Sequence, residues 1–394
     1  MNCQSELFPE VEAAVGSLPE RYQKLLFILE LITVEKFLPR GLPSWLGGRP
    51  LMSRCAMARA FIAKMVFNIG TTRDLVERLR SDVRLRTLCG YSRESEIPSE
   101  STFSRAFQEF SESALPSRVH EALIREVYED QLVGHLSRDS TAINAREKPV
   151  PKEEKPTVEI KRKPGRPRKG EEVPKEPTRL ERQQTMNVEA MLDDLPTDCN
   201  VGCKRNSNGH TNSWTGYKFH ADVADGGVII STVLTSASIH DSGVAIPLAT
   251  MSADRVDSLY DLMDSAYDAQ VIRDHSINLG HVPIIDVNPR SQAAEHRRET
   301  KAQSEANYLP AERVRYRERS TVERAFGRLK DEYNSVLSRS GLPLLSIQRI
   351  PQHCSPAASV SKISINDILF MFSSNMSCAI NVPYYNMTHC PVIE

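Results

Sequence analysis

The chain of 394 residues has no long hydrophobic run and no large excess of charge of either sign. The apolar stretch that begins at Leu25 is interrupted by Glu30 and is too short to span a bilayer, so it predicts a buried helix. The first residues have no basic region followed by an apolar stretch, so no secretory signal is predicted. The net charge of −1 excludes a uniformly basic protein that coats DNA. We expect a cytoplasmic protein whose DNA affinity, if any, comes from clustered charge.

Several enzyme motifs are also missing. The sequence has no Gly-x-Ser-x-Gly motif, no catalytic Cys/His pair and no Walker-type Gly-Lys-Ser/Thr loop, so neither a protein nucleophile nor ATP is indicated. The eight cysteines are scattered, which predicts reduced thiols and no disulfide framework. Cys199 and Cys203, with His210 nearby, could form a zinc site. The loose spacing and the missing fourth ligand favour packing as small hydrophobic side chains instead.

The segment from Tyr316 to Lys330 carries the most specific pattern. Tyr316, Arg319, Glu323 and Lys330 are spaced i, i+3, i+7 and i+14, which places them on one stripe of an α-helix. A second, apolar stripe would dock this helix onto a core, and it consists of Val322, Phe326 and Leu329. A glutamate on a packed helix between cations suits a divalent metal beside a polyanion. The alternative is a solvated face with pairs such as Arg319–Glu323.

Two aspartates lie upstream, and each is expected at the end of a strand and before a small residue. They are Asp139 and Asp264. Between them, the runs 214–223 and 228–234 are separated by Asp225-Gly226-Gly227, which predicts a β-hairpin. The predicted order is three strands, a helix, a strand, a helix, a strand and a helix. This is the order of an α/β, RNase H-like fold with a mixed five-stranded sheet and flanking helices.

These motifs resemble the DDE transposases of bacterial insertion sequences, in the group marked by a Y-x2-R-x3-E-x6-K signature. All four positions of the signature match, and the phrases around Asp139, Trp214, His240 and Asp264 are similar to that family as well. The resemblance covers residues 50 to 333. It implies an enzyme that binds the terminal inverted repeats of its element and catalyses DNA cleavage and strand transfer.

The resemblance also implies two Mg²⁺ or Mn²⁺ ions. Cutting DNA and joining its 3′ end are in-line displacements at phosphorus, which two ions about 3.5–4 Å apart assist at the attacking and leaving oxygens. Such ions prefer carboxylate and phosphate oxygens. By resemblance, Asp139 would bridge both ions, Asp264 would hold one and Glu323 the other. Three side chains of the same stripe would contact DNA phosphates, namely Tyr316, Arg319 and Lys330.

Residues 1–130 are predicted to form an all-α domain. The segment that begins at Pro98 predicts a capped helix with Phe103, Phe107 and Phe110 on one side. Its polar side offers Ser101, Ser104 and Arg105, as a helix-turn-helix does to the major groove. An ordinary face of a helical bundle is the alternative. The resemblance favours DNA recognition, because these transposases generally bind their inverted repeats through an N-terminal helical region.

The composition changes abruptly over residues 146–184. From Arg146 to Gln183 there are seven prolines, 13 Lys/Arg and 8 Asp/Glu, so we expect a disordered basic insertion. Within it, Gly165-Arg166-Pro167-Arg168 resembles an AT-hook, in which arginines enter the narrow minor groove of A·T-rich DNA. A charged linker or a polybasic patch is the alternative. The RNase H-like domain would therefore comprise residues 131–145 and 185–335.

Two polar residues of this domain, Asp241 and His220, each allow two interpretations. Asp241 could lie near the metal ions or cap the helix that follows, and capping is the preferred interpretation. For His220, an exposed or DNA-facing position and a catalytic one are both open.

The tail, residues 336–394, lacks the basic, helical end that is usual in the resembling family. A frameshifted or truncated copy and a divergent tail would each explain it. A decayed, non-catalytic DNA-binding remnant and an RNase H-like nuclease are therefore the alternative functions, although the intact triad favours catalysis. The expected partner is double-stranded DNA, bound by a homodimer, which would associate with the nucleoid. No membrane and no nucleotide cofactor are expected.

Overall fold

The computed structural model describes residues 18–38, 52–145, 148–150, 177–205, 210–287 and 310–333. A helical layer comes first, and a mixed β-sheet covered by helices follows. Within these ranges, no helix combines the length and the apolar character that crossing a membrane requires. Arg166, Arg168 and the tail from residue 336 lie outside the described residues.

Among the described residues of the first layer there are six α-helices: α1 (Glu20–Ile32), α2 (Arg54–Val66), α3 (Thr72–Ser81), α4 (Val83–Cys89), α5 (Glu100–Glu112) and α6 (Leu115–Tyr128). Side chains cap three of them, α2 through Ser53, α3 through Thr71 and α4 through Asp82. Thr71 Oγ1 accepts a hydrogen bond from the Asp74 amide at 3.1 Å, and Asp82 Oδ1 accepts one from the Leu85 amide at 3.1 Å. The all-α character predicted for this region is therefore confirmed.

Aromatic side chains form the centre of the helical layer. The ring of Phe61 on α2 makes edge contacts with Phe103, Phe107 and Phe110 of α5, at centroid distances of 5.4, 5.8 and 6.1 Å. All four rings are buried. The predicted apolar side of α5 is confirmed, and its polar side, including Ser101, Ser104 and Arg105, is exposed.

The sheet has six strands: β1 (Val133–Asn144), β2 (Asn200–Arg205), β3 (Thr211–Ala224), β4 (Ile229–Ser236), β5 (Ser258–Met263) and β6 (Val282–Ile285). β1 pairs antiparallel with β3 and parallel with β5, which in turn pairs parallel with β6. β2 and β4 lie one after the other along the outer edge of β3. The predicted mixed sheet is confirmed, with β2 as an additional short strand.

Further helices cover the sheet: α7 (Arg179–Gln183), α8 (Val188–Asp193), α9 (Ser242–Ala253), α10 (Gln270–Asn278), α11 (Ala311–Tyr316) and α12 (Ser320–Tyr333). The predicted single helix through the signature is divided, because a 3₁₀ turn, Arg317–Arg319, separates α11 from α12. The apolar stripe of α12 is confirmed: its three residues are buried, and Phe326 contacts the ring of Phe219 at 6.1 Å. The stripe fixes α12 against β3.

Helix α6 connects the two layers. Leu115 and Val119 belong to the core of the helical layer, whereas Ile124 packs with Val133 and Leu136 of β1. His120 Nε2 donates a hydrogen bond to the carbonyl oxygen of Ile229 at 3.0 Å. Both layers therefore share one helix and depend on it for their relative placement.

Candidate active site

Asp139 lies in the middle of β1. It was expected at the end of a strand, but pairing with β3 continues to Asn144 and extends the strand beyond it. Its Oδ1 accepts a hydrogen bond from the Ser140 amide at 2.7 Å, and its Oδ2 pairs with Arg319 Nη1 at 3.0 Å. The carboxylate is half-buried, so it remains accessible from the surface.

Asp264 directly follows β5, as expected. Its Oδ1 accepts a hydrogen bond from the Ala266 amide at 2.9 Å, which caps a short 3₁₀ turn. Arg138 and Met263 are register partners in the parallel pair β1–β5, and each precedes one of the aspartates. Successive side chains of a strand point to opposite faces. Asp139 and Asp264 therefore emerge side by side on the face opposite to Arg138.

Burial and nearby negative charge raise the pKa of both aspartates. Burial raises the pKa of Asp139, and the negative charge of Asp264 raises it further, while the Ser140 amide and Arg319 act in the opposite direction. Burial also raises the pKa of Asp264, and the charge of Asp241 adds to the effect. Neighbouring carboxylates that disfavour each other's ionisation create a site where a cation is stabilised.

Glu323 is joined to this pair through Arg319. It lies exposed in the first turn of α12, and Arg319 Nη2 donates to its Oε1 while Nη1 of the same guanidinium pairs with Asp139. The guanidinium also lies 6.0 Å from the ring centroid of Tyr316. One arginine thus links two carboxylates of the predicted triad, and the 3₁₀ turn places it between them.

Three predicted DNA-contacting residues remain, namely Tyr316, Lys330 and Arg105. Burial raises the pKa of Tyr316 to about 12, and the negative charges of Asp286 and Asp264 contribute. Lys330 lies at the opposite end of α12, half-buried. Arg105 is exposed on α5 in the helical layer.

Asp241 does not cap α9, so the preferred interpretation was wrong. Its side chain makes no capping hydrogen bond; instead, Oδ1 accepts one from Ser140 Oγ at 2.8 Å and pairs with Lys218 Nζ at 3.1 Å. Burial opposes ionisation of Asp241, but the nearby imidazole of His220, the positive charge of Lys218 and the hydrogen bond from Ser140 outweigh it and lower its pKa. The carboxylate turns toward β1 and β3, because Ser140 lies on β1 and Lys218 lies on β3. Asp241 therefore stays ionised beside the two aspartates.

His220 is wholly buried, so the expectation of an exposed or DNA-facing position was wrong. Its Nε2 lies 3.0 Å from Thr235 Oγ1 on β4, and burial lowers its pKa to about 4. Strand β3 is covered at this point by neighbouring strands on both edges. The imidazole is neutral and lies in the sheet core, with its Nδ1 3.8 Å from Asp241 Oδ1.

Sequence patterns did not predict a buried ion pair beneath the aspartates. Arg138 Nε and Nη2 each lie 2.7 Å from an oxygen of Asp222, its register partner on β3. Both residues are almost fully buried, and Ser252 Oγ donates to the same carboxylate at 2.7 Å. Arg138 Nη1 also approaches Met263 Sδ at 3.4 Å. The guanidinium of Arg138, which lies on β1, therefore contacts side chains of both neighbouring strands, Asp222 on β3 and Met263 on β5.

No three Asp, Glu, His or Cys side chains among the described residues stand close enough to hold a metal ion as they are. The pair of Asp139 and Asp264 offers oxygen donors that suit a hard divalent cation, and Arg319 occupies the space through which Glu323 would join them. The zinc hypothesis gains no support. Cys199 is buried in the core, whereas Cys203 is exposed on β2.

Comparison with known families agrees with this arrangement. The family model described as Transposase domain (DUF772) matches residues 17–109, in the helical layer. The model described as Transposase DDE domain matches residues 179–341, which include Asp264 and Glu323. No curated protein and no solved structure matches the chain. Because both models describe transposases and follow each other along the sequence, the chain belongs to the DDE transposases of insertion sequences.

Proposed function

We propose that this protein binds the terminal inverted repeats of its element and catalyses metal-dependent DNA cleavage and strand transfer. The observation that carries the proposal is the convergence of carboxylates from separate elements. Asp139 and Asp264 emerge from neighbouring parallel strands, and Arg319 joins Glu323 to Asp139. Phosphoryl transfer needs such oxygen donors, because the developing charge on phosphate oxygens must be balanced by cations.

Asp139, Asp264 and Glu323 are the residues that would hold two Mg²⁺ or Mn²⁺ ions. When bound, the ions would supply charge stabilisation at the attacking and leaving oxygens. The raised pKa values of the two aspartates fit this role, because part of the cost of placing both charges together is removed when cations bind.

Arg319 has two successive roles in this proposal. Without metal it neutralises Asp139 and Glu323, which lie beside it. If cations neutralised those carboxylates, the guanidinium could instead hold a DNA phosphate with its forked donors. Tyr316, whose ring lies against Arg319, orients it. Lys330 would contact a phosphate farther along the DNA as a point charge.

DNA recognition is assigned to the exposed face of α5. Ser101, Ser104 and Arg105 lie near the N-terminal end of this helix, where side chains of a recognition helix reach base edges. The buried phenylalanines on the other side hold the helix rigidly against α2. A homodimer on DNA would bring two active sites to the two ends of the element.

The test replaces each metal ligand by its amide: Asp139→Asn, Asp264→Asn and Glu323→Gln. We expect each change to abolish 3′-end cleavage of a labelled inverted-repeat duplex in Mg²⁺, because a metal ligand is lost, while binding of the duplex stays nearly unchanged. Asp257→Asn and Glu312→Gln are matched controls, because both carboxylates are exposed away from these contacts. Near-normal cleavage by any of the three variants would refute the assignment of that residue.

The wild-type protein distinguishes the alternatives in the same assay. If the products are both cleaved and joined, with Mn²⁺ as well as with Mg²⁺, the protein is a transposase. Cleavage without joining selects an RNase H-like nuclease. A bound but intact duplex selects a non-catalytic remnant that retains DNA binding.

A further inference from the structure

Ser140, the residue after Asp139, has two donors that serve different carboxylates. Its amide donates to Asp139 Oδ1 at 2.7 Å, and its hydroxyl donates to Asp241 Oδ1 at 2.8 Å. Successive side chains of a strand point to opposite faces, so the hydroxyl leaves β1 on the face opposite to the Asp139 carboxylate. Asp241 is therefore linked to Asp139 through Ser140, from behind the strand.

Strand β3 holds Asp241 in this position. Lys218 Nζ pairs with Asp241 Oδ1 at 3.1 Å and donates to the carbonyl oxygen of Ile239 at 2.6 Å, so one ammonium binds two groups of the turn before α9. His220, the register partner of Ser140, lies with its Nδ1 3.8 Å from the same carboxylate oxygen. The side chains of Lys218 and Asp241 are 14% and 20% exposed, and an ion pair shielded from water in this way is stronger than an exposed one.

The peptide between Asp139 and Ser140 lies beyond the end of a strand pair. Pairing of β1 with β5 ends at Arg138, whereas pairing of β1 with β3 continues to Asn144. From Asp139 onward, β1 is therefore paired along one edge only among the described strands. The hydrogen bond between Ser140 and Asp241 adds a second restraint on this segment, which carries a candidate metal ligand.

We propose that Asp241 is a positioning residue for the metal ligand Asp139 and that it acts through Ser140. This inference rests on the proposed function. The Asp241 carboxylate holds the Ser140 hydroxyl, and this contact fixes the peptide whose amide orients the Asp139 carboxylate. Asp241 itself lies behind the strand and is engaged with Ser140 and Lys218, so it orients a ligand and does not serve as one. Removing a group that orients a metal ligand typically costs about 10–100-fold in metal affinity.

The first test measures metal binding without catalysis. Mn²⁺ titrations of the free protein, read from the electron paramagnetic resonance signal of unbound Mn²⁺, compare wild type with Asp241→Ala and Ser140→Ala. We expect each variant to bind Mn²⁺ about tenfold more weakly, because each removes the same hydrogen bond. Ser140→Ala leaves the pair between Lys218 and Asp241 in place, so it decides the question even if Asp241→Ala folds poorly. Unchanged affinity in Ser140→Ala overturns the inference.

Two further variants separate positioning from charge. Asp241→Asn keeps an oxygen that can accept from Ser140 but has no charge, so it should recover most of the Mn²⁺ affinity that Asp241→Ala loses. Equal losses in both variants would show that the charge of Asp241 attracts the cation, and this result also overturns the inference. The control Ser238→Ala removes a hydroxyl from the same loop, where it accepts from Asn200 on β2, and it should bind Mn²⁺ as wild type does.

A double variant shows whether the two residues act in one chain. Residues that act through each other give effects that do not add. Ser140→Ala combined with Asp241→Ala should therefore lose no more Mn²⁺ affinity than either single change. Additive losses would show two independent roles and overturn the inference.

The cleavage assay gives an independent readout. Asp241→Ala and Ser140→Ala should need about tenfold more Mg²⁺ for the half-maximal rate of 3′-end cleavage, and excess Mg²⁺ should restore most of the rate, since no ligand is lost. A reduced maximal rate with an unchanged Mg²⁺ requirement overturns the inference. Normal wild-type cleavage beside unaffected variants leaves the proposed function standing. If wild type binds Mn²⁺ but does not cleave, the catalytic assignment fails, and the Mn²⁺ titrations still decide the inference.

Discussion

At the scale of single residues, the neighbours Arg138 and Asp139 show how one strand serves two purposes. Asp139 faces the surface and Arg138 faces the core, where it meets Asp222 with two hydrogen bonds of 2.7 Å. A buried arginine is stable only with a well-placed partner, because taking both charges out of water is costly. The pair therefore fixes the register of β1 against β3 beneath the candidate metal ligands.

This pair leads to a stability prediction. Asp222→Asn should lower the free energy of unfolding by about 3–5 kcal/mol, because it leaves the charge of Arg138 buried and unpaired. Asp254→Asn is a suitable control: the Arg125–Asp254 pair lies at the surface, and its loss should cost less than about 1 kcal/mol. Urea denaturation followed by circular dichroism measures both values.

A double replacement separates the role of charge from that of packing. Arg138→Met combined with Asp222→Leu removes both charges and keeps apolar volume, so it should recover most of the stability lost in Asp222→Asn. Equal losses in the single and double variants would show that volume, and not the unpaired charge, determines the effect.

At the scale of secondary-structure elements, α6 is held on the sheet by a titratable group. Burial lowers the pKa of His120 to about 3, and the charge of Arg255 contributes, although the hydrogen bond to Ile229 opposes the shift. The folded protein therefore keeps this imidazole neutral, whereas the unfolded chain protonates it near the ordinary value of 6.5. Between these values the unfolded state binds more protons, so acid favours unfolding.

We predict a specific loss of stability in acid. The contribution of His120 is complete above pH 6.5 and falls by about 1.4 kcal/mol per pH unit as the pH decreases toward the folded pKa. His120→Gln can keep a donor for Ile229 without titrating, so the difference in unfolding free energy between wild type and variant should be constant above pH 6.5 and shrink below it. Urea denaturation at several pH values measures this difference, and a constant difference down to pH 5 would contradict the prediction.

Several elements could be predicted from local patterns alone. The hairpin β3–β4 follows from glycines at positions 226 and 227, whose φ values are 86° and 83°. Helix α12 follows from the spacing of its apolar stripe, since the same three residues are buried. The phenylalanine side of α5 has the same origin. Each of these signals lies within a few residues, so no knowledge of distant partners was needed.

Other features depended on partners that are far apart in the sequence. Strand β1 continues past Asp139 because β3 pairs with it as far as Asn144. Asp241 turns from its own helix to Ser140, about a hundred residues upstream, and His220 is enclosed by β4. Periodicity carries no information on such long-range contacts.

At the scale of the whole molecule, the basic insertion separates β1 from the rest of the sheet. The chain leaves β1 at Asn144 and returns at α7, where Gln183 Nε2 donates to the carbonyl oxygen of Gly243 at 2.9 Å. Both ends of the insertion therefore belong to the domain that carries the aspartates. DNA bound by the insertion would be held near that domain without using any of its carboxylates.

The hook-like motif in this insertion can be tested independently of catalysis. Replacing Arg166 and Arg168 with alanine should weaken binding to A·T-rich duplex and reduce the log–log salt slope by about 0.9 for each cation lost. The control Lys152→Ala with Lys155→Ala removes the same charge from the same insertion, so it should alter the salt slope without changing the preference for A·T over G·C. Cleavage at saturating substrate should be unaffected in both double variants, because the carboxylates lie elsewhere. If the arginine variant keeps its affinity, slope and A·T preference, the segment acts as a linker.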